Sequence, residues 1–98
     1  MPVIWKYGIP CDDRFMLSLP LGARVLCVQS QSGVPCLWAV VDPERPTQMR
    51  HFSLVATGEP RPGSELNRYI GTFQLPDDTL VYHLFEDRHE TLERESSA

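Results

Sequence analysis

Apolar residues in this chain return at every second position in short runs, and glycine, proline or aspartate cuts each run before a helical period develops. "VIWKY" places Val3, Trp5 and Tyr7 on one face. "RFMLSL" places Phe15, Leu17 and Leu19 on one face, with Arg14, Met16 and Ser18 opposite. "PLGA" then supplies a turn in which Gly22 is free to take a positive φ. "ARVLCVQSQ" and "VPCLWAVVD" flank Ser32-Gly33, which predicts a two-residue hairpin loop. In that register Gln31 faces Val34, Gln29 faces Cys36, Cys27 faces Trp38 and Val25 faces Val40. Directly opposed side chains share a face. One face then carries Val25, Cys27, Trp38 and Val40, and the other carries Leu26, Val28, Leu37 and Val41. Apolar residues on both faces place the hairpin centrally and make Trp38 a core residue.

Further along, "RHFSLVATG" sets Phe52, Leu54 and Ala56 against His51, Ser53 and Thr57. "EPRPGS" is a proline-held loop that presents Arg61. "NRYIGTFQL" alternates Tyr69, Gly71, Phe73 and Leu75 against Arg68, Ile70, Thr72 and Gln74, and Gly71 marks a bulge or a ring lying over the backbone. "PDD" turns the chain into "TLVYHLFE". The expected fold is all-β: a compact single-domain sandwich or partly open barrel of about seven short antiparallel strands. The β domain spans 1–86. Residues 87–98 form an acidic polar tail that frays or carries a short helix.

The 98 residues fit one domain with a modest core. No run is long enough to span a membrane, and "MPVIWKYGIP" lacks the pattern of a secretory leader. Three cysteines without a CxxC pair, two of them diagonal in the hairpin, read as free thiols in a reducing compartment. Residues 86–98 hold Glu86, Asp87, Glu90, Glu93 and Glu95 against Arg88 and Arg94, which accounts for most of the net charge of −4. The nearly neutral body lacks the positive field of a non-specific nucleic-acid binder.

Catalytic and metal motifs are not evident. His51, His83 and His89 have no close-spaced ligand partners, so no metal is expected. His83, between Val81 and Phe85, reads as a hydrogen-bonded residue of the core or its margin. Asp12-Asp13 and Asp77-Asp78 are neighbours that point oppositely on a strand and sit where turns favour aspartate. Cys11 is a nucleophile only with a histidine beside it. No phosphate-cradling glycine loop or GxSxG occurs, so neither an enzyme nor a cofactor is expected. What remains is a set of basic residues, Arg45, Arg50, His51, Arg61 and Arg68. They are a solvated face, or they include a convergence of Arg45, Arg50 and Arg61 that holds an anion or an acidic partner.

"VIWKY", "GARVLCVQSQSGVPCLWAVVDPE", "RHFSLVATGEP", "YIGTFQL" and "LVYHLFE", in that order, resemble a family of short phage and prophage proteins built on a domain of unknown function. The likeness runs from about Val3 to Glu86, and the long hairpin is its most specific part. Members tend to carry glycines where this chain has "PDD". The resemblance implies a protein of the bacterial host cytoplasm that binds a host or phage protein, inhibitors of host defence among the candidates. The alternative is a protein that sequesters a small anionic ligand such as a nucleotide signal. A homo-oligomer is compatible with either. An aromatic-lined cavity ringed by arginine would favour the ligand, and a flat apolar patch or open sheet edge would favour a protein.

Overall fold

The computed structural model describes residues 1–60, 67–76 and 80–87. Arg61, the turn at Asp77 and Asp78, and the tail from residue 88 lie outside the described residues. Seven strands form: β1 (Val3–Gly8), β2 (Arg14–Pro20), β3 (Arg24–Gln31), β4 (Val34–Val41), β5 (Thr47–Ala56), β6 (Asn67–Gln74) and β7 (Val81–Asp87). They build two antiparallel sheets, a three-stranded one ordered β1-β4-β3 and a four-stranded one ordered β2-β5-β7-β6. The described residues contain no helix. The hydrogen-bond ladders of the two sheets are separate, which makes the architecture a sandwich.

Local chemistry sets the turns. Ala23 donates its N–H to the Pro20 carbonyl at 3.0 Å across a turn whose third residue, Gly22, has φ of 81°. That is the type II geometry for which glycine is suited. Ser32 and Gly33 both have positive φ, 51° and 80°, the mark of a type I′ hairpin loop. The register follows from it, with Gln31 opposite Val34, Gln29 opposite Cys36 and Cys27 opposite Trp38.

Beyond Cys27 the expected register breaks. A bulge at Leu26 sets Val25 opposite Ala39 rather than Val40. The extra residue reverses the alternation, so Val25 and Val28 both face the core while Leu26 is exposed. The inward set of the hairpin is Val25, Val28, Leu37, Ala39 and Val41. Cys27, Trp38 and Val40 face outward and are half-buried. Trp38 is therefore not the central core residue that the sequence suggests.

The four-stranded sheet answers with Phe15 and Leu19 from β2, Phe52 and Leu54 from β5, Leu84 from β7 and Phe73 from β6. Phe15 and Phe52 stack with ring centroids 5.3 Å apart, a geometry that adds to simple area burial. At one side the sheets pinch together. A Cβ on Gly71 of β6 would lie 2.9 Å from Val28 Cγ1 and 3.6 Å from the Val28 nitrogen. Only glycine leaves room for that approach. The bulge expected near Gly71 is present at Ile70, and the neighbour over the backbone is Val28 rather than an aromatic ring. The same bulge turns Tyr69 outward, away from the face it shares with Gly71 in a plain alternation.

Candidate interaction surface

Among the described residues, no layer covers the outer face of the three-stranded sheet. Residues at 34, 36, 38 and 40 of β4 point outward. Ile4 opposes Val40 and Lys6 opposes Trp38 from β1, while Cys27 opposes Trp38 from β3. Ile4 is 60% exposed, Val34 51% and Leu26 41%, and Trp38 and Val40 are half-buried between them. These side chains form a flat apolar surface with a polar rim of Arg24, Lys6, Gln29 and Gln31. The Lys6 ammonium donates to Gln31 Oε1 at 2.8 Å. Lys6 sits opposite Trp38 and Gln31 opposite Val34, so this clasp crosses β4 over Cys36. That accounts for a cysteine on the outer face being buried. All three cysteines are free thiols, with Cys11 exposed, Cys27 half-buried and Cys36 buried.

The outer face of the four-stranded sheet is of a different kind. His83 Nε2 lies 2.7 Å from Thr57 Oγ1, and His83 Nδ1 lies 2.9 Å from Thr72 Oγ1. Tyr69 and Thr72 share a hydroxyl–hydroxyl bond of 2.6 Å, and Thr57 Oγ1 donates to the Val81 carbonyl at 3.2 Å. Because Thr57 spends its proton on that carbonyl, it accepts from Nε2–H. Nδ1 then accepts from Thr72, and Thr72 accepts from Tyr69. This assignment of hydrogens satisfies every group with a neutral imidazole. The Thr57–His83 distance is that of a nucleophile and its base. However, the threonine proton is directed away from the ring, and a neutral hydroxyl stands where a base-orienting carboxylate usually does. Nothing in the sequence marks the cluster, since its members come from β6, β7 and the end of β5.

Of the five basic residues singled out in the sequence, Arg45, Arg50, His51 and Arg68 are described, and these four take up separate surroundings. Arg50, at 8% exposure, lies inside the sandwich rather than on an exposed face. It shares the inward face with Phe52 and Leu54. Its Nε and Nη2 donate to the two carboxylate oxygens of Glu86 at 2.6 and 2.8 Å, and its Nη1 donates to the Ala23 carbonyl at 2.5 Å. A bidentate pair of this type is strong and directional, and here it ties β5 and β7 to the turn that leads into the other sheet. Arg45 is exposed, and its Nη1 approaches to 4.0 Å from where a Cβ on Gly22 would sit. Arg45 and Arg50 thus meet the same turn, but Arg50 is already committed. His51 is half-buried on the outer face of the four-stranded sheet, opposite Met16. Arg68 is exposed on β6, opposite Glu86. Arg61 lies outside the described residues. Two acids are buried at the end of β7, Glu86 and the first residue of the expected tail, Asp87. Glu86 holds Arg50, and Asp87 accepts from Ser53 Oγ, which lies 2.8 Å from both of its oxygens.

A cleft of about 140 Å³ opens beside Asp13, Arg14, Ser53, Val55 and Glu59. Pockets for drug-sized ligands usually hold roughly 300–1,000 Å³. Among the described residues no three of His, Cys, Asp and Glu converge to hold a metal ion, and no helix is long and apolar enough to cross a membrane. No curated protein and no solved structure matches the chain. Residues 1–95 match the family model described as Domain of unknown function (DUF7352), and the chain belongs to that family.

Proposed function

We propose that this chain is a non-enzymatic protein of phage or prophage type that acts in the bacterial cytoplasm by binding a host or phage protein, host defence factors among the candidates. The surface that carries the binding is the outer face of the three-stranded sheet. The supporting observation is the exposure of Ile4, Leu26 and Val34 around the half-buried Trp38 and Val40. Contiguous apolar surface on a soluble domain marks interaction sites, and a tryptophan flanked by aliphatic groups is the usual anchor of such a site. The phage setting rests on the resemblance of the hairpin and strand motifs. An anionic small ligand draws less support, because Arg50 is paired with Glu86 and the cleft beside Arg14 is small and flanked by Asp13 and Glu59.

The reading is tested by placing a photo-crosslinking amino acid at Val34, at Leu26 or at Met16 and irradiating infected bacteria. Val34 and Leu26 are expected to yield one shared adduct by mass spectrometry, with Met16 on the opposite face yielding none. Adducts from Met16 alone would move the binding surface to the four-stranded sheet.

A further inference from the structure

We propose that β1 pairs antiparallel with β1 of a second copy of this chain, joining two three-stranded sheets into one of six strands. The inference starts from the edges of the sandwich. The β3 and β6 edges are pressed together at Val28 and Gly71. The β2 edge keeps the pattern of a solvated edge: Phe15 and Leu19 are buried, Arg14, Met16 and Ser18 are outside, and Pro20 is at the end. β1 is different. It bonds to β4 on one side, and among the described residues nothing pairs with its other side. It exposes apolar groups on both faces, Ile4 outward and Val3 and Trp5 on the inward face, where Trp5 is still 42% exposed.

Natural edge strands are protected by charge, proline or bulges. β1 holds its register with β4 from Val3 to Gly8 without a shift, has no proline within it, and carries one charge, Lys6. That charge is drawn across the outer face to Gln31 and does not guard the edge.

A strand can meet its own copy across a twofold axis perpendicular to the sheet, which leaves equivalent faces on the same side. Opposed residues then share a face, so the axis passes through a residue. The longest overlap centres on Trp5 or Lys6. Centring on Lys6 sets two lysines of like charge against each other, whereas centring on Trp5 sets Trp5 against Trp5, Val3 against Tyr7 and Ile4 against Lys6. The second register is self-complementary. It gives the exposed inward Trp5 a partner and lays the Lys6 stem along Ile4. β1 carries no acid, so copies of net charge −4 meet where repulsion is least. The dimer also places both outer faces on one side, doubling the proposed partner surface. Strand pairing of this length is a small interface, and a Kd on the order of 1–100 µM is expected.

Sedimentation velocity of the full chain, from about 1 to 500 µM, tests the proposal, with circular dichroism melts checking each fold. The wild type is expected to shift from monomer to dimer. Ile4→Lys opposes Lys6 of the copy and should weaken association at least tenfold. Ile4→Glu opposes the same lysine and should dimerise as well as the wild type or better. A wild type that stays monomeric throughout, or an Ile4→Lys variant that dimerises like it, would overturn the proposal. So would loss of the dimer in Ile4→Glu. Because Val34 and Leu26 lie off β1, crosslinks from them judge the partner surface independently of this result.

Discussion

The inward and outward faces of β4 carry residues of the same character and end in opposite surroundings. Inward, Leu37, Ala39 and Val41 are at most 1% exposed beneath the four-stranded sheet. Outward, among the described residues, Val34, Trp38 and Val40 lie beside the side chains of β1 and β3, with Val34 51% exposed and Trp38 and Val40 half-buried. Hydrophobicity alone does not separate the two sets. What separates them is whether a second layer exists above the strand, and that is a property of the whole topology. The inward face holds the fold together, and the outward face is left for association.

The contrast is broken most severely from the inside. Arg50 and Glu86 satisfy one another within the apolar layer, so Arg50→Met leaves a buried carboxylate unpaired and should cost about 3–5 kcal/mol by denaturant unfolding. Replacing both partners with methionine should recover most of that loss, because the desolvation of two charges disappears along with their attraction. A single variant as stable as the wild type would show that the clamp is dispensable.

Leu37→Ala on β4 should cost about 2–5 kcal/mol, the range for a fully buried leucine that leaves a cavity. Its neighbour Trp38 removes a larger side chain from the other face, yet Trp38→Ala should cost only about 1–2 kcal/mol, since the half-buried ring leaves an open notch at the surface rather than an enclosed cavity. Equal losses at the two positions would erase the distinction between the faces.

Much of this arrangement is legible in the sequence. The two-residue loop at Ser32-Gly33 sets the hairpin register up to Cys27, and period two correctly assigns the faces of β1 and β2. Gly71 marks the bulge in β6 although not its residue, whereas nothing in the sequence marks the bulge in β3. Leu26 and Ile70 are ordinary strand residues, and their bulging reflects the twist that the packed sheets require. Each bulge breaks the parity between its two sides, which is why Val25 and Tyr69, just before the bulges, lie on other faces than expected. Arg50 shows the opposite case. Its phase with Phe52 and Leu54 points inward, but a buried arginine is plausible only with a partner, and that partner is 36 residues away. The His83 cluster was hidden for the same reason, since it is assembled by strand order and not by spacing.

A subtler test lies at Tyr7 on the inward face of β1. Its hydroxyl is buried without a hydrogen-bond partner among the described residues, and desolvation raises its pKa above the ordinary 10.0. Tyr7→Phe removes that unsatisfied group and should stabilise the fold by up to about 1 kcal/mol. The folded state disfavours the phenolate. The tyrosine's contribution is therefore complete below pH 10.0 and is lost as the pH rises from there through the raised folded value. Unfolding curves on either side of pH 10.0 should show the wild type weakening more than Tyr7→Phe. Parallel losses in the two proteins would remove Tyr7 as the source.

The most direct measurement is urea unfolding, in dilute solution, of the triple variant Ile4→Thr, Leu26→Thr, Val34→Thr. Threonine keeps the strand preference while stripping the outer face of much of its apolar surface. If that face is free of structural duty, the unfolding free energy should stay within about 1 kcal/mol of the wild type, and crosslinking at the surface should be lost. A drop of about 3 kcal/mol or more, on the scale of a core cavity, would contradict the account and make the outer face part of what holds the sandwich together.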